Sequence, residues 1–589
     1  MFSIYIIFFI SLVALAKYVI VPLIFSNKTE HNSATTSRYR HIDPILGLDL
    51  AVQTWREFKR GELCEGLRKR HVQYGPTFTT NGNNTLFGGG AAETIYTTEP
   101  ENIRTVTTHE FSKFGKAAWV GEAAKHIGAG VLLNEGGAWK HSRTMLKPMF
   151  ARGAAAAATM DDPAMLEPHV QSLVQQMRRQ AHASRRGVFD FHELASMFTL
   201  DVVTEFLFGK SSGTLESPHQ GDGEEGMHFL SLVKDFEGPS AQFIAVGPLA
   251  WFGLITSYKR LIGMVDGMKA FFKKKLNDII AETSQSGDGC CTDAVQQQQQ
   301  QQPKHSRRDV SPSIFRSMKN GGVADDQIQG ELQNIFFASY DTTSTFLANL
   351  MYVLVRHPDV QQRIRNEITV LEGRAPTSKE LARMPFLRMV INEVSSHSRS
   401  AKVDATLPRG GGPDGQSPMV VRAGTTIVWS TYALNRDPRT YGEDWAEFRP
   451  DRWASLLQVK SSSTVSTTTT TTTTTTVTTQ EAAEDTTAAT TTTTIDAKRE
   501  SEKMGSTTAA GEIGEGAGGK RRSAFMPFGS GPRTCLGQTM VQAEVTYVVV
   551  RLLQEFPTLA IDEADAEKPF KEAKAVSFYN EGGVRIRLS

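Results

Sequence analysis

The sequence predicts a mainly α-helical fold with small β-sheets, preceded by an N-terminal transmembrane helix. Three patterns in the 589 residues carry that prediction. Residues 191–208 (FHELASMFTLDVVTEFLF) and 332–355 place apolar side chains at three-and-four spacing, which makes a helix with one buried face. Shorter β-like pieces stand at 419–421 and 426–429. Residues 2–25 are almost wholly apolar, interrupted by Ser3, Ser11 and Lys17.

The apolar run comes first. About 20 such residues span a bilayer, so the run is long enough. A cleaved signal peptide is the competing reading, but a basic segment before the run and a small-residue cleavage site are both lacking. Positive charge follows at Lys28, Arg38, Arg40 and Arg56, which places the rest of the chain in the cytosol. The sequons at Asn27 and Asn83 then stay unglycosylated. The expected organisation is an anchor over 1–26 and one catalytic domain over 27–589.

Composition narrows the classes. Lys and Arg number 64 against 63 Asp and Glu, a net charge of +1, so nothing favours a nucleic-acid partner. A hydrophobic fraction of 40% supports a large core. The four cysteines, Cys64, Cys290, Cys291 and Cys535, form neither a disulfide framework nor a CxxC zinc pair. Two low-complexity insertions interrupt the domain. One covers about 284–308 with its glutamine tract, and the other about 461–519 with an unbroken threonine run at 467–476. Neither buries enough apolar surface to offset its ordering entropy. Cys290 and Cys291 fall in the first, and the alanine run at 154–158 reads as a helix extension.

Near the C-terminus stands Phe528-Gly-Ser-Gly531-Pro-Arg533-Thr-Cys535-Leu-Gly537. Its glycines allow close approach to a flat partner, and Arg533 supplies a charge suited to a carboxylate. A helix from about 536 to 554 puts Cys535 at a positive N-terminal end, which favours the thiolate. A thiolate on such a loop is a good axial ligand for haem iron.

These residues resemble the cytochrome P450 family, whose haem loop reads F-x-x-G-x-R-x-C-x-G. The resemblance matches Phe528, Gly531, Arg533, Cys535 and Gly537, extends over nearly the whole chain, and overrides a length that would otherwise suggest several domains. It implies the P450 fold and a haem b held by Cys535. Trp139-Lys-His-Ser-Arg143 is similar to the family's W-x-x-x-R helix, which reaches a haem propionate; the spacing puts both on one helix face. Glu447-Phe-Arg-Pro-Asp-Arg452-Trp453 resembles the segment that packs over the proximal side. In Ala338-Ser339-Tyr340-Asp341-Thr342-Thr343, the family's helix bulges beside the haem. Asp341 would gate protons, and Thr342 would organise water on the oxygen side. Ser339 stands where glycine is usual and would tighten that groove.

Leu407-Pro-Arg-Gly-Gly-Gly-Pro-Asp-Gly415, with Thr199-Leu-Asp201 and Thr204-Glu-Phe-Leu-Phe-Gly209, looks like fungal alkane and fatty-acid hydroxylases. The resemblance implies a monooxygenase that inserts one oxygen atom of O2 into a fatty acid or n-alkane. NADPH–cytochrome P450 reductase would supply electrons, docking on a basic face for which Lys520, Arg521 and Arg522 are candidates. Such an enzyme sits in the endoplasmic reticulum membrane with its catalytic domain in the cytosol. One departure stands out. Glu393 occupies the first position of the family's E-x-x-R pair, which braces the proximal loop through a third partner, here Arg452, but Ser396 follows where arginine belongs. Arg399 lies six residues on, roughly 240° around a helix, and matches a propionate-binding arginine instead. After Glu393 the chain is also several residues shorter than the family before it rejoins at Arg399, and a true deletion and a misplaced exon boundary give the same text. An inactive haem- or lipid-binding relic is therefore the alternative function. A reductase-independent isomerase or dehydratase would have less need of Asp341 and Thr342.

Overall fold

The computed structural model describes residues 36–42, 48–80, 93–116, 127–150, 163–246, 250–286, 313–391, 397–454, 524–573 and 577–588. The anchor over 1–26, the alanine run, the threonine insertion, Cys290, Cys291, Glu393, Ser396 and Lys520 to Arg522 lie outside these residues, as does most of the glutamine insertion. Among the described residues, no helix is long and apolar enough to cross a membrane.

The longer helices are α1 (Leu48–Arg60), α2 (Leu63–Tyr74), α3 (Gly136–Leu146), α4 (Pro163–Ala183), α5 (Phe191–Phe208), α6 (Gly221–Val246), α7 (Ala250–Ser286), α8 (Ile314–Asn320), α9 (Asp325–Leu354), α10 (Pro358–Ile368), α11 (Pro385–Ile391) and α12 (Gln538–Glu555). The strands are β1 (Thr77–Thr80), β2 (Thr94–Thr97), β3 (Phe114–Gly115), β4 (Val188–Asp190), β5 (His397–Ala401), β6 (Ala405–Gly411), β7 (Ser417–Val421), β8 (Thr426–Trp429), β9 (Leu559–Ile561) and β10 (Arg585–Leu588). They form a five-stranded sheet in the order β1-β2-β8-β5-β3, a three-stranded sheet β4-β10-β9 and the hairpin β6-β7. The expected mainly α fold with small sheets is the one observed.

Helix α5 matches its expected span to the residue. Asp190 caps its start by accepting from the His192 N–H at 2.9 Å, and Gly209 ends it in the left-handed region at φ 79°. Its side chains are buried on nearly every face, as in a central core helix. Against it lies α9, which starts earlier than the apolar period alone indicated because Asp325 and Asp326 favour its positive end. The major core joins α4, α5, α9 and α12 through residues such as Leu173, Phe198, Leu347 and Val548. A smaller core, including Ile95, Leu407 and Ile427, backs the five-stranded sheet.

The segments read as marks of the fungal hydroxylases have structural work here. Asp201 is buried and accepts from the Thr214 N–H at 2.8 Å, the Thr214 hydroxyl at 2.9 Å and the Leu215 N–H at 2.9 Å, so it ties α5 to the following loop. In the β6-β7 turn, Gly412 and Gly415 have φ of 77° and 69°, the left-handed turn geometry that glycine accepts without strain. Asn102 clasps that hairpin, donating to Arg409 O and accepting its N–H, both at 3.0 Å.

One close approach sets the site's frame. A Cβ on Gly330 of α9 would stand 2.2 Å from the Ala129 carbonyl, so only glycine lets this loop lie on the helix. The loop is held there by Val131 N–H to Glu331 Oε2 at 2.8 Å and by Leu133 N–H to Asn334 Oδ1 at 3.0 Å. It leads directly into α3.

Candidate functional site

Residues 524–537 form a loop that ends on α12, which begins at Gln538. The loop closes on itself. The Cys535 N–H donates to Phe528 O at 3.0 Å, and Thr534 donates to Gly531 O from its N–H at 3.0 Å and its hydroxyl at 2.6 Å. Gly531 has φ +71°, and a Cβ there would stand 1.9 Å from Thr107 O. Thr107 belongs to a one-turn π-helix, Thr105–His109, and its hydroxyl meets that of Ser530 at 2.6 Å. From the other side the Trp453 ring meets Phe525 at a tilt with centroids 4.4 Å apart, which brings the segment of Arg452 to the base of the loop. Arg452 is buried and donates to Asp444 O at 2.7 Å and Glu447 O at 2.8 Å.

Cys535 has exposed surface, yet protein crowds around it. This crowding desolvates the thiol and raises its pKa, opposed by the N–H groups of Gly537 and Gln538 and by the Arg143 guanidinium. Helix position alone favoured the thiolate; in the structure, desolvation outweighs the dipole. A bound metal cation reverses that balance, because its charge displaces the thiol proton.

Trp139 and Arg143 share one face of α3, with the guanidinium 5.9 Å from the indole centroid. Arg533 lies over the same indole at 4.5 Å, so two guanidiniums flank one buried ring beside the cysteine loop. Arg143 donates to Thr534 O at 2.7 Å, and Arg533 donates to Asn134 O at 2.9 Å. Arg399 lies in β5, in register with Ile427 of β8.

On α9, Ala338 and Thr342 are exposed one turn apart, whereas residues 331–336 and 343–345 are buried. The bulge implied by the resemblance is not observed, because α9 runs as α-helix throughout. Instead Ser339 and Thr342 bond back to the carbonyls of Ile335 and Ala338 at 2.8 and 2.6 Å, which leaves the ladder in place. Ser339 thus turns its hydroxyl onto the helix. Asp341 accepts from the Ser577 hydroxyl, and burial raises its pKa against that stabilising bond.

A family model described as Cytochrome P450 matches residues 50–466 and 513–583. The chain belongs to the cytochrome P450 family. It is 29% identical to cytochrome P450 monooxygenase FPY7 of Fusarium mangiferae over 92% of this chain and 87% of that one. It is 28% identical to cytochrome P450 monooxygenase himC of Aspergillus japonicus over 96% and 86%. Cytochrome P450 52A12 of Debaryomyces hansenii is 27% identical over 93% and 91%. This P450 is an enzyme of the monooxygenase class. The family implies a haem-thiolate, and its members generally use a redox partner, O2 and an apolar substrate.

The residues present fit a haem. The loop around Cys535 is exposed or half-buried from Phe525 to Gln538, while the helix behind it is core. A soft sulfur ligand, two adjoining guanidiniums for carboxylates and an exposed Ala338–Thr342 strip match the chemistry of an iron porphyrin.

Two features of this P450 were missed in the sequence. Glu544 on α12 is 0% exposed, and neither carboxylate oxygen has a partner among the described residues. Burial pushes its pKa up to about 8, which keeps it protonated at neutral pH. An acid on the apolar face shared by Met540 and Tyr547 was a signal available in the spacing. Ser577, which holds Asp341, offered none, because it lies 236 residues away.

Proposed function

We propose that this P450 hydroxylates a fatty acid or n-alkane, and that Cys535 would hold haem b through its sulfur. The observation that carries the reading is Cys535 on a closed glycine loop, flanked by Arg143 and Arg533. The substrate class rests on the likeness of residues 199–209 and 407–415 to fungal alkane and fatty-acid hydroxylases. When bound, haem supplies O2 activation and the insertion of one oxygen atom into a C–H bond. Cys535 holds the iron, while Gly531 and Gly537 keep the loop backbone close to the ring. Arg143, Arg533 and Arg399 take the propionates, and Trp139 fixes the first two guanidiniums in place. Phe528 anchors the loop by accepting the Cys535 N–H. Asp341 holds a proton beside Thr342, whose hydroxyl orders water on the oxygen side.

Electrons come from NADPH through NADPH–cytochrome P450 reductase, docked on the Cys535 face. Residues 1–26 anchor the protein in the endoplasmic reticulum membrane with residues 27–589 in the cytosol, and the tracts at 284–308 and 461–519 are insertions in that single domain. A second reading, an inactive haem- or lipid-binding relic, is favoured by Ser396 standing three residues after Glu393.

The reduced carbon-monoxide difference spectrum of the full chain separates the two. A Soret band at the thiolate-ligated position, with hydroxylated product from fatty acids or alkanes, supports the enzyme. No haem signal, or a band typical of a protonated thiol, supports the relic. A thiolate band without oxidation of either substrate overturns the substrate class alone.

A further inference from the structure

The C-terminal segment around Ser577 is fixed at points that do not involve Asp341. Glu572 accepts the Cys64 N–H, in the first turn of α2, at 3.0 and 3.1 Å, and its own N–H donates to Gly61 O at 3.1 Å. Gly61 permits that approach, since a Cβ there would stand 2.5 Å from Glu572 O. The Ala573 N–H donates to Tyr579 O at 2.8 Å, which joins the chain on the two sides of Ser577. Tyr579 stacks on His192 of α5 with centroids 3.9 Å apart, and Asn349 of α9 donates to Phe578 O at 2.8 Å. With its neighbours tied to α2, α5 and α9, Ser577 donates its hydroxyl to Asp341 Oδ2. On another side α6 packs Phe236 against Phe337 at 5.7 Å, one helical turn before Asp341, and that contact is apolar. Among the described residues, the hydrogen bond to the Asp341 carboxyl comes from the C-terminal segment.

We propose that Ser577 is the positioning residue of Asp341, aiming its carboxyl so that oxygen reduction ends in hydroxylated product rather than released peroxide. The proposal rests on the P450 reading, in which Asp341 supplies protons towards Thr342. Consecutive residues of a helix point about 100° apart, so the side chains of Asp341 and Thr342 do not face each other. Thr342 commits its own proton to the Ala338 carbonyl at 2.6 Å, which leaves its hydroxyl only acceptor lone pairs for a neighbour. A proton for that side has to come from another group, and Asp341 is the acid beside it in the helix. The direction of an aspartate carboxyl is set by what binds it, because χ1 has several staggered wells and χ2 is broad. The Ser577 hydroxyl removes that freedom from Asp341. It donates from a chain that Glu572, Phe578 and Tyr579 hold in place, so Ser577 orients Asp341 and not the reverse. In this role Ser577 acts through Asp341.

The test is carboxyl-carbon NMR of the full chain labelled at aspartate, with Asp341→Asn to assign the Asp341 signal. Ser577→Ala is expected to displace that signal, and Ser577→Thr, which keeps the hydroxyl, to return it most of the way. Asn349→Ala removes the neighbouring bond to Phe578 O but leaves Ser577 its hydroxyl, so the signal should stay in place. In turnover, Ser577→Ala should raise peroxide released per hydroxylated product several-fold with KM unchanged, while Ser577→Thr and Asn349→Ala stay near the parent. An Asp341 signal unmoved by Ser577→Ala overturns the proposal, as does a displaced signal with unchanged peroxide. An equal rise of peroxide in Asn349→Ala also overturns it, because packing of the segment and not the hydroxyl would then be responsible. If Ser577→Ala does not fold, Ser577→Cys, similar in size and a weak donor, decides by the same signal. The carboxyl signal needs no turnover, so a missing carbon-monoxide band speaks against the P450 reading and an unmoved signal against Ser577.

Discussion

The cysteine loop and the polar cluster around Asp341 are built in opposite ways. The loop is local: Phe528, Gly531, Thr534 and Cys535 bond to one another within eight residues, and the chain outside mainly pins them in place. The Asp341 cluster is assembled from α5, α6, α9 and the C-terminal segment, joined by a bond across 236 residues and an aromatic stack. A site closed by local backbone geometry tolerates divergence elsewhere. A site assembled from remote segments can be retuned by a change in any one of them.

Perturbing the two regions should sharpen that contrast. The largest effect is expected from Cys535→Ala, which removes the sulfur proposed to hold the iron. It should abolish both the thiolate band and hydroxylation while the fold persists, as circular dichroism would show. Next comes Gly531→Ala. It meets the Thr107 carbonyl at 1.9 Å in a left-handed backbone, and overpacking of this kind costs about 1–3 kcal/mol. Loss of most bound haem, read from the Soret to protein absorbance ratio, is expected; full occupancy would show that the contact relaxes cheaply.

Asp341→Asn is expected to leave the thiolate band intact and lower turnover by ~10²-fold, the scale of a lost general acid. An unchanged rate would remove Asp341 from proton supply and leave it a helix-packing residue. The last effect lies away from both regions, at Glu544, and touches stability and not turnover. Its carboxyl sits at about 8 when folded against 4.5 in its unperturbed state. The folded state therefore binds more protons between those values, so stability falls as pH rises from 4.5 to about 8. The full difference is roughly 5 kcal/mol as an upper bound. Thermal denaturation across that window should show a falling midpoint, and Glu544→Gln should flatten it. Equal slopes in the two proteins would contradict the assignment.

Much of this was legible before any coordinates. The limits of α5 and β8 follow from apolar period and bounding turn residues, and the cysteine loop follows from glycine spacing. The surroundings of Cys535 desolvate its thiol as a whole, which helix position alone does not tell. One reading changed with the fold. The bulge in α9 gave way to an unbroken helix because Ser339 and Thr342 both found carbonyls one turn back.

The sequence by itself determined the cysteine loop in which we place the iron ligand, the glycines that shape it and the helices that form the core. Each of those depends on residues close together in the chain, where spacing maps directly onto geometry. Only the tertiary structure decided which groups surround Asp341, why Gly330 must lack a side chain, and how far burial moves the protons of Cys535 and Glu544. Those outcomes depend on which remote segments approach and how much water they expel, and the spacing of residues along the chain carries neither quantity.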